Sequence, residues 1–347
     1  MFIDPIAVAL FAAFGLALGS FLNVCIYRLP RRILLLDEID SLERQADGAP
    51  RMSKEDVASK RSELRALAMW GTRSLCPECR QKIAWFDNVP LVSWLLLRGR
   101  CRRCQAHISA RYFAVELLTA LMFVGCYVNF GLTISAMKFC ALSFFAIGLI
   151  FTDAEWKLLP DALTLPGMVV GLAFSAFTPV NDLAARWFPG LGSGTHASGW
   201  RLASPAQSAL GAMVGAAFIY GAGMLYLRMR PDLTERGRQA MGLGDVKLMA
   251  MVGAFLGATL TVFTMFAASM AGALWGVATV VVVWVKRLRR QRARHMQPGR
   301  AWQSAVVAFR YFQVPFGVFL AGMALAAGFF GNSLMQWYWE YSSGVMR

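Results

Sequence analysis

Two aspartates stand where apolar runs meet charged sequence. Asp153 closes "FFAIGLIFTD", and Asp245 in "MGLGDVKLMA" opens a stretch that, after Lys247, carries no charge before Lys286. A carboxylate at the edge of a membrane segment costs free energy unless it has a partner or a task. Two carboxyls held close cannot both ionise. One keeps a proton while the other acts as base, so that a shared water can attack an amide carbonyl. The pair titrates as a unit, so neither acid is assigned as the base. Gly242 and Gly244 remove side chains just before Asp245 and let another backbone approach. Helix capping is the competing account. It suits Asp161 before "ALTLPG" and is open for Asp245, but it explains nothing for Asp153, which ends a helix where the dipole opposes negative charge.

A second constellation is thiolate. "CPEC" (Cys76, Cys79) and "CRRC" (Cys101, Cys104) form C-x2-C-x21-C-x2-C. Two such knuckles complete a tetrahedron of sulfurs around zinc, although the gap slightly exceeds the usual spacing of about 15–20 residues. With four cysteine ligands no position stays open for water, so the metal is structural. A redox dithiol pair is the alternative. Cys25, Cys126 and Cys140 lie in apolar runs and read as small packing residues.

The elements that position these groups are membrane helices. Of the 347 residues 57% are apolar and 16% charged, below the roughly one quarter usual in soluble domains. Apolar runs of about 20 residues predict an all-α polytopic membrane protein with eight spans. They lie at 6–27, 112–130, 134–152, 162–178, 206–227, 246–260, 263–285 and 316–335, with a turn around Gly257 to Thr261 separating the sixth from the seventh. The first run reads as a retained helix and not as a cleaved signal. With the loop after it placed inside, all of the 35 Lys and Arg except Lys138, Arg186, Arg201 and Arg347 fall inside as well, as the positive-inside rule demands. Both termini are then outside. The net charge of +15 is a membrane-surface property, and no aromatic or polar readers among the charges suggest nucleic acid.

The chain therefore divides into a first helix (1–27), a cytoplasmic loop (28–111) whose cysteine-rich part is 71–111, and a membrane-embedded remainder (112–347). Within the loop, "SKEDVASKRSELRALA" predicts an exposed helix capped by Ser53, with Asp56 three residues on. Asp37, Glu38, Asp40, Glu43 and Asp47 form the one acidic run facing an otherwise basic inner side. They read as a solvated face or as a dock for a basic peptide. "GLALG" (Gly15, Gly19) predicts close helix packing, within the chain or between copies.

In order along the chain, these motifs resemble the bacterial prepilin peptidases, or type IV leader peptidases. "GLALGSFLNVCIYRLP" is similar to that family's first helix, and Cys76 to Glu116 to its cysteine-rich loop and second helix. "DAEWKLLPDALTLPG" and "GLGDVKLMA" are similar to its two aspartate motifs, and "VPFGVFLA" to its last helix entry. The resemblance implies an inner-membrane aspartic endopeptidase of the GxGD type, with Asp153 and Asp245 catalytic. It would cut the basic leaders of type IV prepilins and type II secretion pseudopilins after a glycine. It also implies, as in many members, S-adenosylmethionine-dependent methylation of the new amino terminus. Glu155 stands where many relatives have aspartate, Val318 where proline is common, and segments 37–68, 181–205 and 286–312 are long for the family.

Two other classes compete. A dedicated methyltransferase would be expected to show a Gly-rich nucleotide turn after a strand, and a transporter paired broken helices in related halves. Neither pattern is evident, and a zinc-stabilised assembly factor without chemistry is the remaining alternative.

Overall fold

The computed structural model describes residues 3–46, 52–69, 75–76, 78–79, 81–180, 200–229, 242–292 and 315–342. Most of segment 181–205, the greater part of segment 286–312, and Asp47 lie outside these residues. The chain forms two compact units, Met1–Pro179 and Val180–Arg347.

The first unit comprises α1 (Pro5–Ala46), α2 (Met52–Ala66), a 3-10 turn (Trp85–Asn88), α3 (Val92–Leu96), α4 (Ala110–Phe130), α5 (Ile134–Trp156) and α6 (Asp161–Ser175). Helices α1 and α4 meet backbone to backbone. A Cβ on Gly15 would stand 2.7 Å from Ala120 Cα, and one on Gly19 2.8 Å from Glu116 Cα. The four-residue glycine spacing thus seats α4 within the same chain, which decides between the two readings of "GLALG". Ser109 caps α4 and Thr133 caps α5, each side chain accepting a backbone N–H two or three residues on.

The first helix does not end near residue 27. It runs through Pro30 to Ala46, although an internal proline removes a hydrogen bond and crowds the preceding turn. Tertiary partners hold the extension. Arg28 donates to the Ala68 carbonyl at 2.5 Å, and Arg32 donates to Leu64 and Leu67 at 3.3 Å, so two guanidiniums satisfy orphan carbonyls at the end of α2. Lys60 pairs with Glu38 at 2.9 Å and Arg61 with Glu43 at 2.7 Å. Buried Leu35 and Ile39 share the face between these pairs. Helix α2 starts at Met52, so Ser53 lies inside it and is not the cap.

The second unit comprises α7 (Trp200–Met229), α8 (Leu243–Leu256), α9 (Ala258–Arg292), α10 (Phe316–Ala326), a π-helical turn (Ala327–Gly331) and α11 (Asn332–Ser342). Every residue of α8 from Leu248 to Leu256 is buried, so this helix is enclosed by its own unit. Small residues permit that. A Cβ on Gly211 would collide with the Gly253 carbonyl oxygen, and one on Gly215 with that of Met249. Ser208 also donates to the Ala254 carbonyl at 2.5 Å. Gly257, at φ +81°, ends α8 at the turn read from the sequence.

The protein is helical and membrane-embedded, but the count of eight spans is not confirmed. Among the described residues, five helices are long and apolar enough to cross, or six if the pair bent by 62° around the π turn is one span. Helix α6 has 15 residues and α8 has 14. At 1.5 Å per residue each reaches only roughly 20–23 Å against a hydrocarbon core of about 30 Å. Composition marks both as apolar without revealing that they are short.

The glycine seam makes a testable statement. Gly253→Ala should destabilise the protein by about 1–3 kcal/mol through overpacking against Gly211. Gly221→Ala, where an added Cβ meets nothing within 4 Å, should be neutral or mildly stabilising. Thermal unfolding midpoints of the two variants in detergent provide the comparison.

Candidate active site and metal centre

Asp153 lies in the last turn of α5 and is 6% exposed. That turn is closed by Lys157, which takes a left-handed conformation (φ 52°) and donates its N–H to the Asp153 carbonyl at 2.9 Å. One turn earlier, α5 is pinched between α1 and α6. A Cβ on Gly148 would stand 2.9 Å from Leu22 Cδ1 and 3.1 Å from Leu163 Cδ1. Buried Thr152 returns its hydroxyl to the Gly148 carbonyl at 3.0 Å. The acid is therefore fixed by packing on both sides of its helix.

Past Asp153, the helix end is stapled to its neighbours. Glu155 pairs with Arg111 in the first turn of α4, and the Arg111 guanidinium lies 4.6 Å from the Tyr112 ring centroid. Arg31 of α1 covers Tyr27 at 4.0 Å, donates to the Tyr27 hydroxyl at 2.5 Å, and lies 5.7 Å from the Trp156 ring. Arginine, tyrosine and tryptophan from α1, α4 and α5 thus tie three helices together at the end that carries the acid. Within this layer Arg111 Nε and Trp156 Nε1 are buried donors with no acceptor among the described residues. Trp156, three residues after Asp153, shares its helix face.

Asp245 occupies the opposite kind of helix end. Helix α8 is capped by Gly242, and Asp245 is the third helical residue, its N–H donating to the Gly242 carbonyl at 3.1 Å. Uncompensated N–H groups there favour negative charge, whereas the carbonyl end of α5 opposes it at Asp153. A Cβ at Gly242 would stand 3.5 Å from Asp245 Oδ2, so the glycine places no side-chain atom of its own against that carboxylate oxygen. Asp161 is likewise a first-turn residue, with Pro160 as the cap of α6. Neither aspartate is a cap residue; both stand in a first turn, where the dipole favours negative charge.

The four cysteines converge. Cys76, Cys79, Cys101 and Cys104 place their sulfurs within 4.8 Å of one another. Antiparallel bridges Leu75–Lys82 and Arg100–His107 close the two knuckles, with the Cys76 N–H on the Gln81 carbonyl at 3.0 Å and the Cys101 N–H on Ala106 at 2.9 Å. A tetrahedral site with metal–sulfur bonds of about 2.3 Å puts its sulfurs about 3.8 Å apart. Cys76 and Cys104 are 3.7 Å apart, so the cluster fits a metal ion and is not a disulfide. Backbone N–H groups of Cys104 and Arg103 directed at Cys101 pull its thiol down to about 7, towards the thiolate a metal binds. Outside the cluster Arg102 grips Asp87 through both carboxylate oxygens, at 2.6–3.1 Å, and holds that carboxyl below its ordinary value. Cys25, Cys126 and Cys140 are buried, in keeping with packing roles.

Sequence reasoning did not single out Arg31, Arg111 or Trp156. Each arginine stands near the edge of an apolar run, where positive charge is expected anyway, so its pairing carried no distinct signal.

Comparison with known proteins covers both units. Residues 13–130 match the model described as Bacterial Peptidase A24 N-terminal domain, and residues 140–277 that of the Type IV leader peptidase family. A prepilin leader peptidase/N-methyltransferase of Aeromonas salmonicida (strain A449) is 32% identical over 94% of this chain and 91% of its own length. The protein of that name in Neisseria gonorrhoeae is 34% identical over 86% and 88%, and the one in Stutzerimonas stutzeri 30% over 98% and 96%. No solved structure matches. The motifs around both aspartates and all four cysteines fall inside the matched segments, and the chain belongs to the type IV leader peptidase family.

Proposed function

We propose that this protein is a membrane-embedded aspartic endopeptidase that removes the leader of type IV prepilins and type II secretion pseudopilins and then methylates the new amino terminus. Membership of the leader peptidase family over nearly the whole chain carries this reading. The site adds a buried acid, Asp153, locked at a helix end, and a half-covered acid, Asp245, at a helix start beside glycine.

In the proposed reaction Asp153 and Asp245 share one proton and activate a water between them. The water oxygen bonds to the glycine carbonyl carbon of the leader, and the protonated carboxyl donates to the carbonyl oxygen. Collapse breaks the C–N bond, and the amine leaves with a proton returned through the dyad. For the second activity S-adenosylmethionine would supply the methyl group that the freed amine takes up.

The four cysteines would hold zinc in a closed, structural site. The basic bias of the loops supports an inner-membrane protein with the cysteine module and Asp153 on the cytoplasmic side and both termini outside. The Arg111–Glu155 pair is consistent with this, because it joins the start of α4, just past the module, to the end of α5. A dock for the basic leader on the acidic run of α1 is not supported, since Lys60 and Arg61 of α2 already pair with Glu38 and Glu43.

Asp153→Asn and Asp245→Asn should each lower prepilin cleavage by at least about 100-fold while the protein still inserts, read as loss of the leader-dependent mobility shift on coexpression. Retained cleavage in either variant removes that residue from the mechanism. Methyl transfer should be assayed separately on a substrate already cleaved.

Glu155 is assigned as a positioning residue. Arg111→Glu should reduce kcat, and combining it with Glu155→Arg should restore it; an unrestored double variant would show that the pair does not act through charge.

Zinc should copurify with the wild type by elemental analysis. Cys104→Ser should lose it and lower the melting temperature, and retention of metal by that variant would contradict a four-sulfur site.

A further inference from the structure

Helix α3 turns its apolar side outwards. Its inward side is occupied: Ser93 is buried and donates to the Phe86 carbonyl at 2.8 Å, while Trp94 stands 5.1 Å from the Phe113 ring and donates to Ile108 at 3.3 Å. Val92, Leu95 and Leu96, spaced three and four residues apart, are 51%, 57% and 78% exposed, and Val89 just before them is exposed too. Arg98 and Arg100, which follow at once, are also exposed. Such a cluster of leucine and valine is unusual on a module expected to face water.

The depth of this patch is fixed by a hydrogen bond. The Leu91 N–H donates to Glu116 Oε2 at 2.9 Å. Glu116 lies six residues into α4, which is only 21 residues long. At 1.5 Å per residue that helix reaches roughly 31 Å, close to the hydrocarbon thickness of about 30 Å, with little length to spare on either side. The Glu116 backbone therefore stands about 9 Å inside the start of the span. Even with its carboxylate reaching back towards the boundary, Leu91 and the helix it leads must come up to the level of the lipid headgroups.

We propose that α3 is a membrane foot. Val89, Val92, Leu95 and Leu96 enter the inner leaflet at the headgroup–acyl boundary, and Arg98 and Arg100 meet the phosphates of anionic phospholipid. The cysteine module is thereby pressed against the bilayer at one edge as well as joined to it through α1 and α4. The occupant is lipid: the patch lies at membrane level, held there by the Leu91–Glu116 hydrogen bond to α4, and carries the charge that anionic headgroups attract.

The test uses the full-length protein with benzoylphenylalanine in place of Leu96 or, separately, Val92. It is reconstituted in vesicles of phosphatidylethanolamine and phosphatidylglycerol containing an alkyne-tagged phosphatidylglycerol. Ser59, exposed on α2, is the reference position. After irradiation, Leu96 and Val92 should yield tagged-lipid adduct several-fold above Ser59. Adduct no higher than at Ser59 at both positions overturns the proposal, as does crosslinking to added prepilin in place of lipid, which would make the patch a substrate surface.

Discussion

Close approach of helix backbones is the constraint on which the rest of this structure depends. In a bilayer lipid tails are as apolar as leucine, so burying apolar side chains does little to drive helices together. What remains is dispersion, available only where side chains are small. Among the described residues the chain meets that demand repeatedly, and three seams lie in or beside the helices that carry the acids. Gly15 and Gly19 take Ala120 and Glu116, Gly148 takes Leu22 and Leu163, and Gly211 and Gly215 take Gly253 and Met249. The second seam lies five residues before Asp153. The third encloses the helix that begins beside Asp245. Each acid is thus attached to a helix whose position is fixed by packing rather than by its own charge.

Given that placement, the two carboxylates differ in kind. Asp153 is buried at a carbonyl end and Asp245 is half-covered at an amide end, so the backbone dipoles act on them in opposite senses. Gly242 contributes by omission, since a Cβ there would stand 3.5 Å from Oδ2 of Asp245.

Much of this was legible in the sequence, where the signal was local. Apolar runs located α4 and α5 to within a few residues, the cysteine spacing located the metal cluster, and the break near Gly257 was read correctly. What escaped depended on partners distant in the chain. Pro30 reads as a stop, yet α1 continues because Arg28 and Arg32 reach carbonyls some 32 to 40 residues later. Hydropathy alone does not set a helix's length, and α6, with 15 residues, and α8, with 14, both stand among the eight apolar runs. Arg111 was hidden in the inner positive charge that every such protein carries, and only the fold shows that it pairs with Glu155.

That pair also ties the cysteine cluster to the acid. From Cys104 the chain passes through the bridge at His107 and the Ser109 cap to Arg111, and from Arg111 across to Glu155, two residues beyond Asp153. Each link is short and rigid, being a knuckle, a capped helix start and a guanidinium backed by the Tyr112 ring. A structural metal would fix the first link and so limit how far the last turn of α5 can rotate or fray. The distance between metal and acid is then no argument against a role in catalysis. A four-sulfur centre with no open coordination position would then act on the proposed catalytic acid by helping to set where α5 ends.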